Sequence, residues 1–275
     1  MEEALGFLAA DDPLTRPIGG GTALMLMMKA QLFAPTRLVS LRKLGGPLQG
    51  FRLEENGDLL RVGAMTTFAT LEHSPEIHRL FPVVREVMKT LANVRVRNVA
   101  TVGGNLAHGD PHLDLPPVWA ALDARIVILG PTGQRLVQVE DFYTGYYETR
   151  LKRGEIIVEL LVPVRRSWRS VYVKVTTRSV HDWPALGIAI SAEIEGDHIR
   201  DIRAVLGAAT DRPTRLAAAE SILRGARLDE ERLSAAAEAA ADGVQIESDA
   251  RGSTQYKAQL LRVHFGRALR TLMEK

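Results

Sequence analysis

The distribution of apolar and polar positions along the chain predicts a mixture of α-helices and β-strands. Between Pro82 and Leu91 the apolar side chains recur at helical spacing, which places them on one face of an amphipathic helix. Two short apolar runs, 51–53 and 59–62, flank the turn signal Asn56-Gly57 and predict a β-hairpin. Further helices are predicted over 2–10, 23–29, 67–72, 114–122, 213–224, 229–241 and 253–273. Further strands are predicted near 16–18 and over 37–41, 125–129, 135–139, 156–162, 171–175, 186–194 and 202–206.

One segment interrupts this periodicity and indicates a boundary between two domains. Pro163 is followed by Arg165, Arg166 and Arg169, and the stretch 163–168 shows neither a helical nor a strand period. We therefore expect an α+β chain with two domains, 1–166 and 167–275. The arginines could contact the phosphates of a nucleic acid, but a solvated linker or a partner interface is the simpler interpretation.

Composition and charge exclude several classes of protein. The 275 residues include 35 Lys and Arg against 33 Asp and Glu, and the net charge of +2 is too balanced to indicate nucleic-acid binding. Without cysteine, the chain cannot form a disulfide, a thiolate zinc site or a catalytic thiol, and cannot ligate an iron–sulfur cluster through cysteine. The longest apolar run, 23–28, is far shorter than a membrane span, and the first residues lack the pattern of an export signal. We expect a cytoplasmic protein with no membrane span.

Three consecutive glycines indicate a binding loop for an anion. Gly19, Gly20 and Gly21 cannot form the interior of a helix or strand, and helix-forming apolar residues follow them. Successive backbone N–H groups in such a loop form a positively polarised nest that fits a pyrophosphate. The sequence is neither a Walker A nor a Rossmann motif, and a flexible turn is the alternative interpretation. A second glycine-bearing loop, 98–105, favours a dinucleotide held from two sides.

Several segments together carry a resemblance to a known family. They are 19–24 with Met27-Met28-Lys29, 98–116, 142–149, 154–157, the three residues Lys174, Arg178 and Asp182, and 249–253 with Tyr256. With these residues, nearly the whole chain resembles the FAD-carrying medium subunits of the molybdenum hydroxylases, the family of aerobic carbon monoxide dehydrogenase and xanthine dehydrogenase. The family's first loop usually reads Ala-Gly-Gly-x-Ser/Asp-Leu-Leu-Pro-Met-Met-Lys, so Ala23 replaces a Ser or Asp here. In the second loop, His112 and Leu113 replace a pair of small residues.

The resemblance implies a fold and a set of cofactor contacts. The expected fold is a two-part FAD-binding domain of the p-cresol methylhydroxylase type, with sub-parts of about 1–50 and 51–166, followed by a small α+β flavoprotein C-terminal domain over 167–275. The loop residues expected to hold the FAD pyrophosphate and adjoining groups, without a covalent link, are Gly19, Gly20, Gly21, Thr22, Ala23, Leu24, Thr101, Val102, Gly103, Gly104 and Asn105. Asp114 would form a hydrogen bond to the cofactor, and Ile157 would contact the flavin through its backbone. Lys174 would lie near the isoalloxazine ring, and Trp183 would stack on it.

The implied activity is redox chemistry within a larger complex. A large molybdenum subunit would oxidise the substrate, and the two [2Fe–2S] clusters of a small subunit would pass electrons to the FAD of this chain and on to an external acceptor. The molybdenum cofactor and the clusters would lie on those partners, in a dimer of heterotrimers. No residue of this chain would act as a catalytic acid or base. A free-standing FAD oxidoreductase and a flavin-free assembly subunit are the two alternatives.

His108, Asp110, His112 and Asp114 alternate within one short segment and allow a different hypothesis. Four such side chains could ligate a metal ion that activates water. Pro111 disrupts a regular strand, so the four side chains need not converge. We favour loop or subunit-contact roles for both histidines, and a covalent flavin link through either one is a third option that the resemblance does not favour.

Two further expectations concern packing around the first loop. The cluster Met25, Met27 and Met28 is expected to belong to the hydrophobic core. Valine at Gly20 or Gly103 is expected to abolish FAD retention without unfolding the chain, because the new side chain would stand where the pyrophosphate meets the backbone.

Overall fold

Helices and strands alternate along the chain in a computed structural model that describes residues 1–9 and 12–274. The helices are α1 (Glu2–Ala9), α2 (Leu24–Lys29), α3 (Phe68–His73), α4 (Pro75–Leu80), α5 (Pro82–Thr90), α6 (Val94–Arg97), α7 (Val102–His108), α8 (Leu115–Ala121), α9 (Val139–Phe142), α10 (Ala217–Leu223), α11 (Glu230–Asp242) and α12 (Thr254–Glu274). The strands are β1 (Thr15–Ile18), β2 (Arg37–Ser40), β3 (Phe51–Leu53), β4 (Leu59–Gly63), β5 (Arg125–Gly130), β6 (Gly133–Gln138), β7 (Tyr143–Gly145), β8 (Glu148–Thr149), β9 (Ile156–Pro163), β10 (Trp168–Val175), β11 (Leu186–Glu195), β12 (His198–Gly207), β13 (Thr214–Arg215) and β14 (Ala226–Arg227). The expected α+β class is confirmed.

The N-terminal part is organised around a five-stranded antiparallel sheet in the order β3-β4-β9-β5-β6. Its central strand β9 is apolar along most of its length because both faces of the sheet are covered. Leu160 and Val162 belong to a core built with α3, α5 and α8. Ile156 and Leu161 face a smaller core that includes residues of α1 and β2. The parallel pair β1-β2 lies beside this second core and leads into the glycine loop.

The C-terminal part contains a second five-stranded antiparallel sheet. It runs in the order β10-β11-β12-β13, and β14 pairs with β12 as well. Ile188 and Ile190 of β11 pack beneath α10, α11 and α12. Ala189, between them, points to the opposite face and joins the core of the N-terminal part, where α8 packs on β11 and β12. The two parts of the chain are therefore joined through one continuous apolar contact.

Several predicted elements are confirmed at close to their expected bounds. The hairpin forms as β3 and β4, and Gly57 adopts the positive φ of +73° that its turn requires. The predicted helix at 82–91 is α5, and Val83, Val84, Val87 and Met88 are its buried residues. The expected end of the first helix, Ala10, lies outside the described residues.

Three expectations about local structure are wrong. The helix expected from residue 213 begins at Ala217, because Thr214 and Arg215 pair with β12 as β13. The predicted loop at 98–105 contains the start of a helix, since α7 begins at Val102. The methionine cluster is not part of the core: Met25 is 51 % exposed, and α2 buries none of its residues.

Two arginines of the predicted boundary, Arg165 and Arg169, bind within the chain itself. They lie between the end of β9 and the first residues of β10. Arg165 pairs with Asp123 and stacks over the ring of Trp168, with 4.4 Å between the guanidinium carbon and the ring centroid. Arg169 donates a hydrogen bond to the Met273 carbonyl at 3.0 Å. These contacts tie the linker to both parts of the chain.

Candidate functional site

The first glycine loop presents a row of backbone donors. It follows β1, whose end is closed by a 3.0 Å hydrogen bond from the Leu41 N–H to the Ile18 carbonyl. Within the described residues, no group accepts a hydrogen bond from the backbone N–H groups of 19–23. Gly21 has a φ of +75°, a conformation that residues with a Cβ rarely adopt. Consecutive unpaired N–H groups in a turn are the chemistry of an anion-binding nest.

The second glycine segment is organised differently, because its backbone donors are used inside the chain. Thr101 caps α7 by accepting from the Gly104 N–H at 3.2 Å. The Gly103 N–H donates to the Ala64 carbonyl at 2.7 Å, and the Val102 N–H donates to the Thr66 carbonyl at 3.0 Å. The segment is therefore anchored on the chain that follows β4 and is not a second open nest.

One polar atom of this second segment still lacks a partner. The Oδ1 atom of Asn105 is buried, and none of the described residues donates a hydrogen bond to it. A buried acceptor without a partner costs free energy, so such atoms commonly mark a place that a ligand or water completes. Asn105 is therefore the group of this segment that fits a cofactor contact best.

Glycine is needed at 20 because the two segments touch through their backbones. A Cβ atom on Gly20 would lie 1.9 Å from the Val99 carbonyl oxygen, and one on Gly19 would lie 2.9 Å from the Thr101 Oγ1 atom. A Cβ on Gly103 would lie 2.6 Å from the Cβ of Ala64. Valine at Gly20 or Gly103 would also collide with the protein itself, so loss of FAD in these variants would not by itself assign the pyrophosphate to the loops.

Ile157 lies next to the start of α7 through a short chain of contacts. It pairs with Ile128 of β5, while Val158 is the extra residue of a β-bulge between the two strands. The carbonyl of Val158 accepts from the Ala64 N–H at 2.9 Å, and Ala64 in turn accepts from Gly103. The glycine segments and Ile157 therefore form one group.

Asp114 and Lys174 form a buried ion pair, which makes up a second group. The Lys174 Nζ atom lies 3.0 Å from Asp114 Oδ2 and donates a further hydrogen bond to the Thr90 carbonyl at 3.1 Å. The Tyr172 hydroxyl donates to Asp114 Oδ1 at 2.8 Å. Burial raises the pKa of the Asp114 carboxyl, and the Lys174 charge opposes that rise. Lys174 is therefore a neutralised cation and not an isolated positive charge.

Trp183, the remaining sequence-predicted residue, lies at the surface beside His112. Its side chain is 45 % exposed. Its ring centroid is 5.7 Å from that of His112, and the guanidinium carbon of Arg251 lies 5.5 Å from the indole centroid. Trp183 and Arg251 also line a shallow surface depression with Arg178. No hydrogen bond or ion pair among the described residues joins this second group to the glycine loops; the segment 101–114 connects them covalently.

His112 lies in the turn between α7 and α8, as expected for a loop residue, but its side chain is buried and its partners come from both parts of the chain. Its Nδ1 atom lies 3.0 Å from Asp110 Oδ1, and its Nε2 atom lies 2.9 Å from Asp249 Oδ2. Lys257, also buried, lies 3.1 Å from the same Asp249 oxygen. The contact with Asp249 spans 137 positions, and no local pattern in the sequence could have revealed it. His108 is the last residue of α7, and within the described part of the chain no group of three or more His, Cys, Asp or Glu is arranged to hold a metal ion.

Hydrogen bonds set the charge states around this histidine. Donors from His112 and the Tyr147 hydroxyl lower the pKa of Asp110 despite its burial. Donors from His112, the Arg251 backbone and Lys257 lower the pKa of Asp249 to about 2, against the opposing effect of burial. Both carboxylates are therefore ionised at neutral pH.

Comparison with known proteins agrees with this architecture over both parts of the chain. Residues 1–165 match the model of the FAD binding domain in molybdopterin dehydrogenase. Residues 171–272 match the model of the CO dehydrogenase flavoprotein C-terminal domain. Among the helices that the structure describes, none is long and apolar enough to cross a membrane.

Individual relatives resemble the chain along nearly its whole length. The carbon monoxide dehydrogenase medium chain of Hydrogenophaga pseudoflava is 32 % identical over 265 residues, which are 96 % of this chain and 90 % of that protein. The nicotine 6-hydroxylase medium subunit of Paenarthrobacter nicotinovorans is 32 % identical over 262 residues, covering 95 % and 90 %. The crystal structure of the cyanide-inactivated Cu,Mo-CO dehydrogenase superposes with a TM-score of 0.93 at 30 % identity, covering 99 % of this chain and 94 % of that one.

The residues present fit an FAD molecule. The free N–H groups of 19–23 match a pyrophosphate, and the Asn105 oxygen is available to a donor. The matched models describe an FAD-binding domain and a flavoprotein domain, and the relatives named above are subunits of oxidoreductases. The chain therefore belongs to the FAD-binding family of the molybdopterin dehydrogenases, as a homologue of the medium chains of carbon monoxide dehydrogenase.

Proposed function

We propose that this chain is the FAD-carrying electron-transfer subunit of a molybdenum hydroxylase complex. In this proposal, [2Fe–2S] clusters on a small partner subunit are the electron source, and an external acceptor receives the electrons. A large partner subunit holds the molybdenum cofactor, and the complex is a cytoplasmic dimer of heterotrimers. The proposal is supported by the match of both domains to medium-chain relatives over nearly their full length.

The observation that supports cofactor binding most directly is the row of free donors in the first loop. The N–H groups of 19–23 point to no acceptor among the described residues, so they would donate to the two phosphates of FAD. Gly20 keeps this loop in contact with the Val99 backbone, which fixes the direction of the donors. Asn105 would accept a hydrogen bond from the cofactor through its Oδ1 atom.

The second group would line the flavin end of the site. Asp114 and Lys174 neutralise each other and would present hydrogen-bonding atoms with little net charge. Ile157, which belongs with the glycine segments, would contribute backbone atoms from the other group, and Trp183 would cover the ring with its exposed indole. FAD, when bound, supplies a redox centre that exchanges one or two electrons, so the task of this chain is binding and orientation.

A charge placed in the first loop tests the pyrophosphate assignment. Thr22 is half-buried, and its side chain makes no hydrogen bond with the described residues, so replacing it disturbs little of the fold. We expect Thr22→Glu to weaken FAD binding at least tenfold, about 1.4 kcal/mol, because a carboxylate would face the phosphates. The dissociation constant is measured by titrating the flavin-free chain with FAD and following flavin fluorescence.

Thr22→Gln is the matched control, since it has nearly the same size without the charge. It is expected to bind FAD within about twofold of the parent chain. Equal affinities for the Glu and Gln variants would show that the first loop does not bind the phosphates.

Molybdenum and iron that co-purify with the chain from its native source distinguish the complex from a free-standing flavoprotein.

A further inference from the structure

His112 bridges the two parts of the chain with both of its ring nitrogens. Nδ1 faces Asp110, in the segment between α7 and α8, and Nε2 faces Asp249, in the segment before α12. Both carboxylates are acceptors, and each is fixed by further donors: the Tyr147 hydroxyl at 2.8 Å to Asp110, and Lys257 Nζ at 3.1 Å to Asp249. Each histidine nitrogen can form its bond only by donating a proton. With both carboxylates ionised, both ring nitrogens donate only when both carry a proton, so the geometry favours a positively charged ring.

Trp183 lies against this charge. Its indole is tilted by 31° to the His112 ring, with 5.7 Å between the centroids. The guanidinium of Arg251 contacts the same indole at 5.5 Å, and the Arg251 backbone N–H donates to Asp249 Oδ1 at 2.8 Å. Cations within about 6 Å of an indole centroid are attracted to the ring, and tryptophan binds them best among the aromatic side chains. Two cations of one hydrogen-bonded cluster thus hold a side chain that is otherwise at the surface.

We propose that His112 is a positioning residue. As a buried cation between Asp110 and Asp249, it holds the Trp183 indole in place at the seam between the two domains. The relevance of this position to the flavin rests on the proposed function, in which Trp183 covers the isoalloxazine ring.

The test measures Trp183 itself in the full chain. The protein has three tryptophans, and subtracting the emission of a Trp183→Phe chain made in each background isolates the signal of Trp183. His112→Gln removes the charge and keeps polar atoms, and His112→Lys keeps a positive charge between the carboxylates. We expect acrylamide quenching of Trp183 to increase by about twofold or more in His112→Gln and to stay near the parent value in His112→Lys.

His198→Gln is the control, because it also removes a histidine paired with a carboxylate, Asp197, but at an exposed position outside the His112 bridge. Far-UV circular dichroism verifies folding, and His112→Lys remains informative if the uncharged variant does not fold. Parent-like quenching in His112→Gln, or equal changes in the Gln and Lys variants, would overturn the proposal. So would strong exposure of Trp183 in a folded Lys variant.

A second readout separates this inference from the proposed function. In the chain loaded with FAD, a tryptophan stacked on the ring quenches flavin fluorescence, so His112→Gln is expected to raise it. If Trp183 becomes exposed while flavin fluorescence stays constant, the positioning role of His112 stands and the stacking of Trp183 on the flavin is wrong.

Discussion

Alanine at Gly20 is expected to destabilise the protein and to abolish its retention of FAD. The added methyl group would lie 1.9 Å from the Val99 carbonyl oxygen, a backbone atom that cannot rotate away. The first loop would have to move off the second segment, and overpacking of this kind costs about 1–3 kcal/mol. The donors of 19–23 move with the loop, so FAD binding should lose a similar free energy. The FAD content after purification should therefore fall at least tenfold. Thermal unfolding and the visible spectrum of the purified variant measure both effects.

Gly6 is the matched control for this substitution. It lies in the exposed part of α1, and a Cβ atom there would meet nothing within 4 Å. Gly6→Ala should therefore leave FAD content unchanged and stabilise the helix by up to about 1 kcal/mol. A Gly20→Ala chain with parent-like stability and flavin content would show that the two loops do not touch as described.

Methionine at Lys174 is expected to cost about 3–5 kcal/mol of unfolding free energy, because it leaves the Asp114 carboxylate buried without its charged partner. The double variant Asp114→Asn with Lys174→Met should recover a large part of this loss. Lys89→Met is the control: it breaks an ion pair with Glu86 whose side chains are 57 % and 46 % exposed, and exposed pairs contribute about 0–1 kcal/mol. Denaturant unfolding of the three variants measures these differences, and equal costs for Lys174→Met and Lys89→Met would contradict the buried pair.

The loss at Lys174 should depend on pH in a defined direction. Burial already raises the pKa of Asp114 above its ordinary value of 3.8, so the folded state holds this proton more tightly than the unfolded state. Such a group stabilises the folded state when the pH is below its pKa in the unfolded chain. This stabilisation is lost as the pH rises through its pKa in the folded chain. Removing Lys174 raises the folded pKa further. The difference in stability between the parent and Lys174→Met should therefore be largest at neutral pH and shrink toward pH 4.

Much of the fold could be predicted from the sequence because its elements are specified locally. The apolar stripe of α5 and the Asn56-Gly57 turn each contain their own signal, and both form as expected. The apolar run 156–162 predicted a strand, which the structure places, buried, at the centre of its sheet. Such local patterns form the expected element wherever a hydrophobic core lies on its apolar side, and they do not require particular neighbouring residues.

The start of α7 shows where local reasoning fails. Two adjacent glycines weaken a helix, so Gly103 and Gly104 predicted a loop. Thr101 caps the helix, and the carbonyls of Ala64 and Thr66 bind its first N–H groups, which offsets the poor propensity. These acceptors lie more than thirty positions away in the sequence and carry no signal near the glycines.

The candidate site divides in the same way between local and distant causes. The row of donors in the first loop follows from the glycines themselves and was predicted as an anion-binding nest. The reason for glycine at 20, contact with Val99, depends on how two distant segments pack, as does the pairing of Lys174 with Asp114. The exposure of Met25 could not be predicted locally either. An apolar run looks the same in the sequence whether or not a core lies beside it in the fold.

The most direct test of the central claim is the visible absorption spectrum of the purified full-length chain, followed by release and identification of any flavin after heating. We expect a flavin spectrum and about one FAD per chain, either as purified or after adding FAD to the chain. A colourless protein that takes up no added FAD would contradict the account, because the free donors of the first loop would then have no pyrophosphate to bind.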